Sequence, residues 1–188
     1  PVRLIGHSMG GNIAGLYAGA MPGRVSAFVN LEGFGLNDSA PEEAPAHYRD
    51  WLDRVRVSPA PTHRSDFATL AAAIQARNAG MSLEQAEFVA RCWAKEASDG
   101  TVQLRFNPAH KLPNPVLYRR AEAEACWRNV AAEVLLVAGT RSDFGSPEGL
   151  PFPRSRVMWI EDAGHMLHFE QPAALARAIE EFLGIPAT

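Results

Sequence analysis

A serine flanked by glycines, between an apolar run and a helical run, constrains the fold of this chain more than any other feature. Val2 to Ile5 is a short apolar run typical of a buried strand. The turn Gly6-His7-Ser8-Met9-Gly10-Gly11 follows, and a helix of small residues then continues to Ala20. A second β-rich run covers Val25 to Leu31. Strand, helix and strand in this order predict a parallel pair joined by a right-handed crossover.

The same alternation returns at the carboxyl end of the chain. Val134 to Ala138 and Val157 to Ile160 have the composition of two further strands. Pro172 begins a final segment with one apolar helical face, formed by Leu175, Ala178, Ile179 and Phe182. We therefore predict an α/β fold with a partial parallel sheet, whose core comprises residues 1–36 and 129–188.

Residues 37–128 have helical spacing without strand alternation and predict a helical insertion. Two apolar faces have helical period: Tyr48, Trp51, Leu52 and Val55; and Phe67, Leu70, Ala71 and Ile74, followed by a predicted stop at Gly80. Ser82 and Gln85 form a capping box that begins a third helix. We expect this insertion to cap the functional site and to set the substrate.

The glycine-flanked serine also predicts a nucleophile. A Gly-x-Ser-x-Gly turn between a strand and a helix presents its serine on a strained backbone, and we expect a Cβ at Gly6 or Gly10 to clash. The start of the helix would direct the Met9 amide toward the oxyanion that forms when Ser8 attacks a carbonyl. In the alternative, Ser8 only caps a helix; the flanking strand and helix favour the nucleophile.

A serine nucleophile needs a base, and the sequence holds six histidines. His165 follows the last predicted strand, where the strand ends of an α/β sheet bring functional groups together, and we predict that it is the base. His168 lies in the same stretch and is either an alternative base or, as we favour, a packing residue. The remaining histidines are predicted to be structural or solvated: His7, His47, His63 and His110.

Two carboxylates compete for the third position of a triad. Asp143 follows the strand Val134 to Ala138, and Glu32 ends the strand Val25 to Leu31. Both lie at the carboxyl edge of the predicted sheet, and either keeps the chain order serine, acid, histidine. An acid there would orient the imidazole and stabilise its charged form. We favour Asp143 and keep Glu32 as the alternative.

At these residues the sequence resembles the α/β-hydrolase superfamily, in particular capped bacterial hydrolases with a GHSMGG turn and an AGHMLHFEQP-like end. The resemblance covers the whole chain and is most specific at 6–11 and 163–172. It implies a serine hydrolase with Ser8 as nucleophile, His165 as base and an acid at Asp143. It also implies that Ser142 stands at the family's commoner acid position, which keeps Glu32 open. The related haloalkane dehalogenases and epoxide hydrolases use an aspartate nucleophile, and Ser8 argues against both.

The family's sheet has further strands before the turn, and a loop after one of them supplies a second oxyanion amide. The predicted strand Val2 to Ile5 begins at the second residue, so the chain has no earlier strand to cover its apolar edge. We therefore expect the chain to be the carboxy-terminal portion of such a hydrolase. The leading function is carboxylic-ester hydrolysis of a small-molecule substrate through an acyl-enzyme. The alternatives are hydrolytic carbon–carbon bond cleavage with the same triad, and a non-catalytic remnant.

Composition excludes several other partners. A net charge of −3 without long basic clusters argues against nucleic acid, and no apolar run approaches the ~20 residues that span a bilayer. Cys92 and Cys126 have no zinc or redox spacing, so we expect two buried thiols, no metal or other cofactor, and a cytoplasmic location. The sequence predicts no particular oligomeric state.

Overall fold

The structure, a computed structural model, describes residues 1–57, 59–78 and 80–186. In chain order its helices and strands are β1 (Val2–His7), α1 (Met9–Ala20), β2 (Val25–Leu31), α2 (Ala44–Arg56), β3 (His63–Arg64), α3 (Phe67–Arg77), α4 (Leu83–Trp93), β4 (Ala94–Glu96), β5 (Val102–Leu104), α5 (Arg120–Arg128), β6 (Glu133–Gly139), β7 (Ser155–Ile160), α6 (Leu167–Glu170) and α7 (Pro172–Leu183). The chain divides into two compact units, Pro1–Asp38 with Arg119–Thr188, and Ser39–Tyr118.

The first unit is built on a parallel sheet whose strand order is β1-β2-β6-β7. Each neighbouring pair in this sheet is parallel. The strands predicted from the four apolar runs are therefore confirmed, with ends that differ by a residue or two. The predicted α/β fold class is confirmed with them.

The two central strands are buried on both faces, which explains their nearly continuous apolar sequences. On one face, alternate residues of β2 and β6, such as Val29 and Val137, pack with Leu175 of α7. On the other face Phe28 lies near Phe152, which stacks on Trp127 of α5 with ring centroids 5.3 Å apart. Because the sheet is parallel, the carboxyl ends of β1, β2, β6 and β7 meet at one edge.

The second unit contains the three helices expected in the insertion. The capping box at the start of α4 is present: Ser82 Oγ accepts from the Gln85 amide at 3.2 Å, and the Gln85 side chain accepts from the Ser82 amide at 2.8 Å. Leu70 and Ile74 of α3 are buried, as their spacing predicts. Tyr48 and other members of the apolar face of α2 are exposed.

Two features of the insertion differ from the prediction. The second unit also holds a small antiparallel sheet in the order β3-β5-β4, whose strands of two or three residues are too short to produce a periodic pattern. The helix α5, predicted as part of the insertion, belongs to the first unit. There the side chain of Asn129, just after α5, donates to the Gly19 carbonyl of α1 at 2.7 Å.

No helix among the described residues is both long and apolar enough to cross a membrane. The expectation of two buried thiols is wrong for one of them, because Cys92 is exposed, while Cys126 is partly buried and both are free. Cys92 lies near the end of α4.

Candidate active site

Ser8 occupies a strained turn between β1 and α1. Its backbone has φ of +54° and ψ of −120°, a conformation that residues other than glycine rarely adopt. Its amide donates to the Leu31 carbonyl of β2 at 2.8 Å, and its own carbonyl accepts the Asn12 amide at 3.0 Å as α1 begins. In the described chain its side chain makes no hydrogen bond to cap the helix. The structure therefore does not support the alternative in which Ser8 only caps the helix.

The glycines around Ser8 differ in how much space a Cβ would have. A Cβ at Gly6 would lie 2.5 Å from the Gly10 carbonyl oxygen, as expected. The same expectation for Gly10 is wrong, because a Cβ there meets no atom within 4 Å. Gly11 is the second tight position instead, since a Cβ would overlap the side-chain oxygen of Asn30 and lie 3.0 Å from the Gly6 carbonyl oxygen. Gly10 faces outward, whereas Gly11 faces the end of β2.

His165 lies beside Ser8, as predicted. Its Nε2 is 3.0 Å from Ser8 Oγ, and its side chain is 19% exposed. The ring stacks on Phe144 with centroids 3.6 Å apart and an interplanar angle of 14°. Its backbone carbonyl accepts a hydrogen bond of 2.7 Å from Nε2 of His7. Ring and backbone are thus each held by another side chain.

Glu32 supplies the carboxylate that faces His165. Its side chain is fully buried, and Oε2 lies 3.3 Å from His165 Nδ1. The Ser142 hydroxyl donates to the same oxygen at 2.5 Å, and the Gly139 amide donates to Oε1 at 2.7 Å. Glu32 has φ of +58°, and its amide donates to the Val137 carbonyl at 3.0 Å. A buried carboxylate with three donors is the arrangement in which a buried charge is tolerated.

The structure does not bring Asp143, the favoured acid, to His165. Asp143 is exposed, and none of the hydrogen bonds or ion pairs found in the described residues joins it to the imidazole. The reason is an offset of one residue after β6: Ser142 turns inward to Glu32, so Asp143 turns outward. Glu32, the alternative, is the acid that geometry supports.

Met9 lies where an oxyanion donor is expected. It is the first residue of α1, so its amide has no acceptor within the helix and points out of the helix start. This end of the helix also carries the positive pole of the backbone dipoles. The predicted position of Met9 beside Ser8 is thus kept in the structure.

A family model described as alpha/beta hydrolase fold matches residues 1–172. The chain belongs to the α/β-hydrolase fold family. The strained serine between β1 and α1 and the histidine after β7 lie within the matched residues.

Solved structures agree with this membership. A hypothetical protein from Pseudomonas aeruginosa PAO1 is 26% identical with a TM-score of 0.80, covering 97% of this chain and 67% of its own. A thioesterase domain from the curacin biosynthetic pathway is 24% identical with a TM-score of 0.80, covering 96% of this chain and 66% of its own. An esterase from Mycobacterium tuberculosis is 18% identical with a TM-score of 0.71, over 96% of this chain and 61% of its own. This α/β hydrolase therefore spans about two thirds of the length of these proteins.

Two further histidines of this α/β hydrolase lie behind His165. His7 is in ring contact with both His165 and His168, at centroid distances of 4.8 and 4.5 Å. Burial lowers the pKa of His7 below its usual range, although its hydrogen bond to the His165 carbonyl opposes the shift. Since a carbonyl only accepts, Nε2 of His7 carries the proton. His7, predicted as structural, therefore supports the backbone of His165.

His168 has the environment of a packing residue. Burial, followed by the charges of His7 and His165, lowers its pKa to about 4. Its Nδ1 is buried and has no hydrogen-bond partner among the described residues. The structure thus agrees with the preferred interpretation of His168, and His165 is the histidine that lies next to Ser8.

A cavity of about 420 Å³ opens beside the Phe144 ring, within the first unit. Its lining comes from the segments after β2 and β6 and from Arg120, namely 34–37, 143–146 and Arg120 itself. Arg120 is fixed there, because Nη1 donates to the Phe34 carbonyl at 2.7 Å and Nε pairs with Glu124 at 2.9 Å. No group of three or more His, Cys, Asp or Glu side chains in the described ranges is arranged to hold a metal ion.

Asn30 and Phe144 of the site were not recognised from the sequence, and Ser142 was noted only as standing at the family's commoner acid position. Asn30 is fully buried, accepts from the Gly33 amide at 2.9 Å and donates to the Gly33 carbonyl at 2.8 Å, so it closes the turn that carries Glu32. One signal was available, since Asn30 is a polar residue inside the apolar run Val25 to Leu31. Ser142 and Phe144 lie in an irregular loop, where sequence has no periodicity to interpret.

Proposed function

We propose that this α/β hydrolase hydrolyses carboxylic esters, with Ser8 as nucleophile, His165 as general base and Glu32 as the orienting acid. The observation that carries the proposal is the distance of 3.0 Å between Ser8 Oγ and His165 Nε2, on a serine with a strained backbone. The buried carboxylate on the other side of the imidazole supports it. A nucleophile in contact with a base that a third group orients is the usual signature of nucleophilic catalysis.

The positions of the protons on His165 support the same roles. Nδ1 of His165 donates to Glu32, so Nε2 keeps its lone pair and can take the proton of Ser8 as Oγ attacks the ester carbonyl. The oxyanion of the tetrahedral intermediate would accept from the Met9 amide. The imidazolium then returns the proton to the leaving alcohol, which leaves Ser8 acylated. Water attacks the acyl-enzyme with the same base, and the acid is released.

The names of the solved relatives fit acyl transfer to water, since one is a thioesterase domain and another an esterase. Hydrolytic carbon–carbon cleavage of a diketone uses the same three groups and is the second candidate. A non-catalytic remnant is the third. Substrate assays separate the first two, and covalent labelling of Ser8 separates both from the third.

The test is fluorophosphonate labelling of the full-length protein and of its Ser8→Ala variant, followed by hydrolysis of short p-nitrophenyl esters and of a 1,3-diketone. Ser26→Ala is the matched control, because Ser26 is exposed on β2 and donates to the Val2 carbonyl at 3.2 Å. We expect labelling and ester hydrolysis in the wild type and in Ser26→Ala, and neither in Ser8→Ala.

Cleavage of the diketone with no ester turnover would favour the carbon–carbon alternative. A folded wild-type protein that neither labels nor turns over either substrate would contradict the enzymatic proposal and favour the remnant. Labelling that survives in Ser8→Ala would show that another serine reacts.

A further inference from the structure

The loop after β6 contacts both the acid and the base of the proposed triad. The Gly139 amide, at the end of β6, and the Ser142 hydroxyl of the loop donate to Glu32, and the Phe144 ring of the loop stacks on His165. The sequence predicted that this loop would provide the acid. It provides instead the groups that surround an acid from the neighbouring strand.

The Ser142 hydroxyl bonds the carboxylate oxygen that also faces the imidazole. Oε2 of Glu32 takes a hydrogen bond of 2.5 Å from Ser142 and lies 3.3 Å from His165 Nδ1. The shorter contact is therefore with the hydroxyl. Because the side chain of Glu32 is fully buried, water does not substitute for a lost donor without rearrangement.

The direction of the Ser142 proton is set by its other partner. The Phe144 amide donates to Ser142 Oγ at 3.3 Å, so this oxygen already accepts one hydrogen bond. Its own proton is free to point at Oε2, which as an ionised carboxylate can only accept. Ser142 is thus oriented before the imidazole becomes charged.

We propose that Ser142 is a positioning residue, whose hydroxyl holds the Glu32 oxygen in the place where it orients the His165 ring. This inference rests on the proposed function, because it assigns a role to a neighbour of the proposed triad. Ser142 acts through Glu32 and does not line the cavity beside the site.

The proposal predicts a specific kinetic pattern for Ser142→Ala. A hydrogen bond to a charged group is worth enough to change a rate about 10- to 100-fold, and we expect kcat to fall by this factor. KM should stay within about twofold, because Ser142 is outside the cavity lining. The acidic limb of the rate profile should move to higher pH, because a carboxylate with one donor fewer attracts the imidazolium more strongly.

Other titratable groups near the base do not interfere with this comparison. His7 and His168 are in contact with each other behind His165, and among the described residues neither makes a hydrogen bond to Ser142. Both are present unchanged in every variant. A shift in the acidic limb between variants therefore reports on the Glu32–His165 pair.

The experiment compares the wild type, Ser142→Ala and Ser142→Thr in the full-length protein, with Ser155→Ala as the control. Ser155 is exposed at the start of β7, and its hydroxyl donates to the Phe152 carbonyl at 3.3 Å. Kinetics of p-nitrophenyl ester hydrolysis and the rate of fluorophosphonate labelling are measured against pH, and thermal unfolding checks the fold. If Ser142→Ala does not fold, Ser142→Cys takes its place, because a thiol is a similar size and a weak donor.

We expect Ser142→Ala to show the lower kcat, the unchanged KM and the shifted limb, and Ser142→Thr, which keeps a hydroxyl, to recover most of the wild-type rate. Wild-type kcat and an unmoved limb in Ser142→Ala would overturn the inference. So would a loss that Ser142→Thr does not recover and that leaves the limb unmoved, because that pattern describes a structural role. A wild type without Ser8-dependent labelling would overturn the proposed function itself, which is a different result from any of these.

Discussion

The loops after β2 and β6 begin at the same edge of the sheet, yet the first buries its carboxylate and the second exposes it. The loop after β2 buries Glu32 completely, on a backbone with φ of +58° and with Asn30 closing the turn behind it. The loop after β6 leaves Asp143 exposed and turns Ser142 inward. A carboxylate's position at a strand end therefore does not decide its role. The donors and the burial around it do.

The two environments also differ in how strongly a carboxylate acts on an imidazole. Charges that face each other away from water interact several times more strongly than charges in solvent. Glu32 is out of solvent and in contact with His165, whereas the exposed Asp143 is screened by water and salt.

The largest expected effect comes from replacing each carboxylate in turn. Glu32→Gln keeps the size of the side chain and removes its charge, so we expect kcat/KM for p-nitrophenyl esters to fall by about 10³ to 10⁴. Asp143→Asn is the matched control; Asp143 lines the cavity but does not face His165, so kcat should stay within about threefold of the wild type. Steady-state kinetics of both variants test this, and a greater loss of kcat in Asp143→Asn than in Glu32→Gln would contradict the roles given to the two carboxylates.

The second effect concerns the support beneath the loop after β2. A Cβ at Gly11 would overlap the side-chain oxygen of Asn30 and approach the Cα of Gly33 to 3.1 Å, so we expect Gly11→Ala to destabilise the fold by about 2 to 4 kcal/mol. Gly10→Ala meets no atom within 4 Å in the same helix, and should stabilise it by about 0.5 to 1 kcal/mol. Urea unfolding of both variants measures the difference, and equal stabilities would contradict this account of the loop.

A third test moves the charge from one loop to the other. Glu32→Ala should lose activity. The Ser142 hydroxyl lies 2.5 Å from Oε2 of Glu32 in the wild type. A second substitution, Ser142→Asp, would therefore place a carboxylate close to the position that Oε2 leaves empty. We expect the double variant to recover about 10- to 100-fold in kcat over Glu32→Ala. Ser155→Asp in the Glu32→Ala background is the control and should recover nothing. No recovery at position 142 would mean that the loop after β6 does not reach His165 Nδ1.

The smallest effect concerns the segment after β7, which carries His165 and His168. The pKa of His168 is lowered to about 4 by burial and by the nearby imidazoles, whereas an unfolded histidine titrates near 6.5. The unfolded chain therefore binds more protons between about pH 4 and 6.5, and the folded state loses stability as pH falls through this window.

In His168→Gln this loss should shrink by about 1 kcal/mol, after allowance for the partial exposure of the ring. Unfolding free energies at pH 7 and pH 5 measure it, with His110→Gln, an exposed histidine, as the control. An identical pH dependence in wild type and His168→Gln would show that the ring is hydrated in the folded state.

Much of this molecule was predictable because its signals are local. The central strands β2 and β6 have nearly continuous apolar sequences, as expected of strands buried on both faces. The glycine-flanked turn between strand and helix identifies Ser8. His165 follows from the position of the last strand. The helices of the second unit followed from period and capping, and Ser82 with Gln85 is the clearest case.

Other features depended on atoms that are distant in sequence. The short strands β3, β4 and β5 exist only because they pair with one another, and α5 belongs to the first unit through contacts with α1. The tight approach at Gly11, rather than at Gly10, depends on a side chain of β2.

The parallel sheet, the serine at its edge and the histidine after the last strand could all be read from the sequence, because each is encoded in consecutive residues. Which carboxylate faces that histidine depends on the tertiary contacts at the ends of β2 and β6. The choice between Glu32 and Asp143 depends on which one is buried against the Gly139 amide and the Ser142 hydroxyl, and these donors lie more than a hundred residues from Glu32 along the chain. A pattern of residue types contains no information on that contact, since burial and hydrogen bonding are set when the two strand ends meet.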